Sequence, residues 1–307
     1  MMDELNHWTR DSAEYQPSGR KTGGFRPRTV LVPLTFIMIH FITVNLVTVA
    51  YLAVHMMVKS IGGAFDILDV LGDAQALNSL VQANYPMITI LYALILIPVY
   101  GIYLVIARKN DPRMLLTESF RLADLLPGLA MTVGALGLTS LYFVLLDQLS
   151  QSNAFIAGLL EDYEALSGSF SPEGGLGFLI IGISVMAPIT EELLFRGIVQ
   201  GELRKAMPEP AAIIIQAILF AAYHIQPVQA SYALIPGVLL GVAYAWSRSI
   251  WVPIAMHMLF NALGSLLPVL VGDDPYLGQV AATAQVAFIA AGILAGVFFY
   301  MNRRKTT

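Results

Sequence analysis

The chain has 307 residues, 57% of them hydrophobic and 12% charged, with a mean hydropathy of +0.69. A soluble globule carries about 25% charged residues, so this composition excludes one and points to apolar runs that cross a hydrocarbon core of ~30 Å. The net charge is only −4 and there is no cysteine, which excludes disulfides, a thiol nucleophile, thiolate zinc sites and S-palmitoylation.

Residues 1–28 are polar, mix acids with bases and hold Pro17, Gly19, Gly23, Gly24 and Pro27. They read as a disordered cytoplasmic tail. The apolar run behind them is about thirty residues long, far beyond a cleavable signal core. Eight spans follow: Thr29–Val58, Pro86–Ala107, Leu125–Leu146, Leu176 to about Gln200, Ala211–His224, Ala230–Ser247, Ile250–Val271 and Leu277–Tyr300. The fifth, at fourteen residues, is short for a helix in lipid. The third connection, Asp147 to Gly175, is the longest and reads as a surface loop or a short extracytoplasmic helix. The fold class expected is therefore all-α: a polytopic integral membrane protein with about eight transmembrane helices in one bundle over residues 29–301, followed by a basic cytoplasmic end at 302–307.

Fifteen of the seventeen Lys and Arg fall in the two terminal segments and the even-numbered connections, while the odd-numbered ones carry mostly acids. This bias sets orientation and predicts that both termini are cytoplasmic, in what is expected to be the plasma membrane. No internal repeat supports an inverted-repeat transporter.

An ionisable group inside the hydrocarbon costs at least ~2.5–3.5 kcal/mol unless it is paired or hydrated. The fourth span carries Glu191, Glu192 and Arg196, the fifth ends at His224, and the seventh holds His257 with Asn261. Pro188 removes an amide just before the two acids, so the helix must kink or restart there. Glu192 and Arg196 are four apart and can form an ion pair. Glu191 is rotated by about 100° from Glu192 and is left free for general base or acid work, although the same residues could form a purely structural polar knot. Counted at ~1.5 Å per residue, Glu191, His224 and His257 lie roughly 10–20 Å from the cytoplasmic ends and can meet near mid-bilayer. His40 and His55, in the first span, are about four turns apart and read as structural.

Glu191-Glu192-x-x-x-Arg196, Phe220-x-x-x-His224 and His257-x-x-x-Asn261, in this order, resemble the signature of the CAAX prenyl endopeptidase type II, or CPBP (Abi), family of intramembrane proteases. Residues from about Pro188 to Asn261 carry the likeness. It implies an eight-helix fold with the catalytic core at about 125–271. It also implies that Glu191 and His224 position and deprotonate a water, that His257 and Asn261 donate to the oxyanion, and that Glu192 with Arg196 is an orienting ion pair. Phe220 is a supporting residue.

The favoured reading uses no metal. Were zinc involved, Glu191, His224 and His257 would be its ligands, but no His-Glu-x-x-His motif is present and Asn261 is a better donor than ligand. The expected partners are membrane lipid and a membrane-associated protein or peptide substrate, lipidated or not; nucleic acid is not among them. The competing readings are a catalytically idle scaffold or bacteriocin-immunity protein of the same fold, and an ion- or proton-coupled transporter.

Overall fold

The computed structural model describes residues 24–62, 67–168, 175–272 and 274–304. Most of the expected tail and the last three residues of the basic C-terminal end lie outside them. The described residues form helices and connections, with an isolated bridge between Thr117 and Ser249. Seven helices are long and apolar enough to cross a membrane. They are α1 (Pro27–Ile61), α3 (Ala74–Asn110), α4 (Leu122–Ser150), α6 (Leu176–Leu203), α8 (Pro227–Ser247), α9 (Trp251–Val271) and α10 (Pro275–Asn302). The short fifth span appears as α7, Glu209–Tyr223, at fifteen residues. Two further short helices are α2 (Ile67–Gly72) and α5 (Ala154–Gly168). The chain is thus the expected all-α polytopic bundle, and the long third connection forms a helix.

Local chemistry starts and stops these helices. Pro27 opens α1, where its missing N–H is no loss. Asp73 caps α3 by accepting from the amides of Gln75 and Ala76, and Asp274 caps α10 by accepting from Tyr276 and Leu277. The helix α5 lies against α4 and α8, with the Tyr163 ring 5.3 Å from Phe143 and 6.2 Å from Tyr232.

The inner helix is α6. Two wide-turn, π-helical stretches, Ile180–Met186 and Leu193–Gln200, flank a six-residue α segment, Ala187–Glu192. Pro188 supplies a cause for the first of them. In a wide turn its absent amide would have served the carbonyl five residues back, that of Ile183. The Asn261 side-chain amide donates to that carbonyl at 3.0 Å, and the Thr190 hydroxyl donates to the Met186 carbonyl at 2.7 Å. Freed backbone groups inside a membrane are tolerated when neighbouring side chains satisfy them in this way.

Close approach fixes the helices around α6. A Cβ at Gly182 would collide with the Pro86 backbone of α3, and one at Gly201 with the Met114 carbonyl. On α8, Gly237 and Gly241 let that helix close on α7 and α6; a Cβ at Gly237 would come within 3.2 Å of the Phe220 ring.

Candidate active site

Glu192 and Arg196 are fully buried and their ion pair is closed at 2.7 Å, as the four-residue spacing predicts. The pair is larger than the sequence suggested. The same Glu192 Oε1 also accepts from His257 Nδ1 at 2.7 Å, across 65 residues of chain. Arg196 Nη2 donates to the Gly237 carbonyl at 3.0 Å, which also accepts from Gln216 Nε2 at 2.8 Å. The guanidinium stands 4.7 Å above the Phe220 ring. A buried ion pair in hydrocarbon is tolerable only with such additional partners.

Phe220 is the hub between the three motifs. Its ring meets Phe195 at 5.1 Å, His224 at 5.0 Å and His257 at 5.8 Å, each edge to face. The two imidazoles therefore flank one aromatic ring. His224 sits at the C-terminal end of α7, where its Nδ1 is 2.9 Å from the Phe220 carbonyl. As that partner is an acceptor, His224 carries its proton on Nδ1.

The same argument orients His257. Its Nδ1–H donates to Glu192, and its Nε2 lies 3.8 Å from Glu191 Oε2. The imidazole nearest the free carboxylate is thus His257, not His224. Glu191 is part-exposed while Glu192 is sealed, so the sequence distinction between a working and a paired carboxylate has a physical counterpart. Asn261 is half-buried, one turn beyond His257 on α9, and spends one amide hydrogen on Ile183.

Sequence reasoning missed three groups. Gln216 and Gln200 are buried amides: Gln200 Nε2 donates to Glu209 Oε1 at 2.8 Å and to the Gly241 carbonyl at 3.2 Å. Tyr85, Tyr92 and Tyr223 stand within electrostatic reach of the Glu191 carboxylate. The signal for the first two was present as polar residues at seven-residue spacing on one face of α3, joined there by Thr89. As for metal, among the described residues no three His, Asp or Glu side chains converge to hold an ion. The trio Glu191, His224 and His257 is not gathered into such a group.

What fold and site together define is a membrane-embedded helical bundle with a carboxylate–imidazole cluster among its inner helices. Residues 174–263, which hold all three motifs, match the family model described as Type II CAAX prenyl endopeptidase Rce1-like. The chain is also 31% identical over 93 residues to the membrane-embedded CAAX protease MroQ of Staphylococcus aureus (strain USA300). That alignment covers 27% of this chain and 36% of the relative, so the likeness spans about a third of the relative's length. No solved structure matches. The family-model match thus covers all three motifs, over the segment from α6 to α9.

Proposed function

We propose that the protein is an intramembrane endopeptidase that hydrolyses a peptide bond in a membrane-associated protein or peptide. Water is activated at Glu191 with His224, and His257 and Asn261 donate to the oxyanion. The observation that carries the reading is His257 held between two carboxylates, 2.7 Å from Glu192 and 3.8 Å from Glu191, inside the family-matched stretch.

The reaction adds one water across the amide. A hydroxyl oxygen attacks the carbonyl carbon, a proton passes to Glu191, and the C–N bond breaks with a proton delivered to the leaving nitrogen. The gap between Glu191 Oε2 and His257 Nε2 is too long for a direct hydrogen bond, and a water can bridge it. Doubly protonated before the water attacks, His257 donates on both sides, to Glu192 and to the developing oxyanion, and it keeps both protons through the reaction. Asn261 retains a second amide hydrogen for the same oxygen, because only one is used by Ile183. Donors held in a dry pocket stabilise such charge strongly.

The test compares membranes containing wild-type protein with membranes containing Glu191→Gln, by proteomics and with quenched-fluorescence peptides that carry or lack a farnesylated cysteine. Glu191→Gln should bind substrate yet cut at a rate lower by about 10²–10⁴-fold. Equal cleavage by both proteins would refute the mechanism and favour the scaffold. Purified enzyme should keep its activity after exhaustive chelation. Loss on chelation and recovery on adding zinc would overturn the metal-free chemistry but leave the protease.

A further inference from the structure

His40 is a titratable side chain that the mechanism above does not use. It is 1% exposed, on α1, outside the family-matched stretch. Three tyrosine rings surround it, with centroids at 5.0 Å (Tyr223), 5.6 Å (Tyr92) and 6.1 Å (Tyr100). Tyr92 and Tyr100 belong to α3 and are 3% and 0% exposed, while Tyr223 is the last residue of α7, next to His224.

Two polar atoms in this cluster are buried without a protein partner, His40 Nδ1 and Tyr100 Oη. A buried polar group is costly to leave unsatisfied. Two of them in one aromatic enclosure mark a place for ordered water, which needs two to four polar partners. The cluster borders the catalytic carboxylate. Tyr223 joins the enclosure to the site: its ring lies 5.0 Å from His40 and 5.9 Å from Phe195, and it directly precedes His224. Towards the basic end of the bundle, Phe36 closes it, with its ring 5.8 Å from Tyr100 and 4.4 Å from Tyr103. Beyond Phe36, the Tyr103 hydroxyl donates to Glu202 at 3.1 Å, which also takes Arg28 at 2.9 Å.

We infer that His40, Tyr92, Tyr100 and Tyr223 enclose a buried hydration site that supplies water to Glu191. A hydrolase consumes one water per turnover, and among apolar helices a polar enclosure beside the carboxylate offers a place to hold it. The supply role rests on the protease reading; the hydration site itself does not.

Two measurements test the two parts separately. In the full chain labelled with 15N-histidine in nanodiscs, NMR should show exchange cross-peaks between water and the His40 ring, assigned by their loss in His40→Phe. Tyr100→Phe, which removes one hydroxyl and keeps the ring, should weaken them. A His40 ring without water cross-peaks would overturn the hydration site, whatever the protein cuts.

For the supply role, turnover of the farnesylated peptide should fall about tenfold in kcat in His40→Phe, with KM within about twofold, equivalent to ~1.4 kcal/mol of barrier. His40→Gln, which keeps a polar atom, should retain more activity than His40→Phe even though its amide is harder to bury. A packing role predicts the opposite order, and that order would sink the supply role. If wild-type protein cleaves neither peptide while the cross-peaks are present, the protease reading and the supply role fall together and the hydration site stands.

Discussion

At the scale of single residues, Glu192 Oε1 takes two donors, Arg196 and His257, while its Oε2 is buried without a partner. This carboxylate ties the buried ion pair of α6 to His257 of α9. Removing Arg196 would strand a buried charge at a cost of about 3–5 kcal/mol. Arg196→Ala should therefore lower membrane accumulation and the melting temperature, whereas Glu191→Gln should change neither. Normal amounts of stable, inactive Arg196→Ala protein would show that the pair acts in catalysis instead. Asn261→Ala should lose about 10²–10³-fold in kcat, as for one missing oxyanion donor, and a small amount of stability through the Ile183 bond. The spacing within one helix made the Glu192–Arg196 pair legible in the sequence. His257 joining that pair was not legible, because the contact crosses from α6 to α9 and no periodicity within a helix reports it. His40 shows the same limit: burial follows from its span, but its aromatic neighbours come from α3 and α7.

At the scale of the helix, the interest lies in α6. The sequence announces an irregularity at Pro188, but two wide-turn stretches depend on what neighbouring helices offer to the freed carbonyls. Asn261 of α9 is that neighbour for Ile183, and Pro86 of α3 packs its backbone against the same stretch at Gly182. A Cβ at Gly182 meets backbone atoms, which have no rotamer to yield, so Gly182→Val must push α6 away from α3. The expected cost is about 1–3 kcal/mol of overpacking, with activity falling further because Tyr85 and Tyr92 move relative to Glu191. Gly177→Ala on the same helix meets no atom within 4 Å and should leave both stability and activity intact. Measuring melting temperature and turnover for the two variants separates a close-packed contact from a general sensitivity of α6. Equal behaviour of the two would refute the role given to the Gly182–Pro86 approach.

At the scale of the whole molecule, the charge alternation read from the sequence has a spatial counterpart. Arg28 of the N-terminal segment pairs with Glu202 at the end of α6, as does Lys205 at 3.1 Å. Arg26, Arg28, Arg113 and Lys205 line one polar cavity of about 280 Å³. Glu118 of the second connection pairs with both Arg248, after α8, and Arg304, after α10. Five separate basic segments thus gather at one end of the bundle. The Arg248 hydrogen bond, followed by that from Arg304, holds the Glu118 carboxyl below its ordinary range. A depressed carboxylate stabilises the fold above its unfolded value and loses that contribution as pH falls through the folded one, so this tie loosens only in acid. The arrangement needs α7 and α8 to leave that end and return to it, which is why the fifteen-residue α7 counts as a crossing in the topology even though it is too short to span lipid unaided. The positive-inside bias then predicts that this end faces the cytoplasm and carries both termini. Reporters that are active only outside the cytoplasm, fused to either terminus, should stay silent, and one inserted in the connection between α4 and α5 should be active. An active terminal reporter would invert the bundle and turn the basic end outward. Activity at one terminus only would mean an odd number of crossings, which is incompatible with Arg28 and Arg304 lying at the same end.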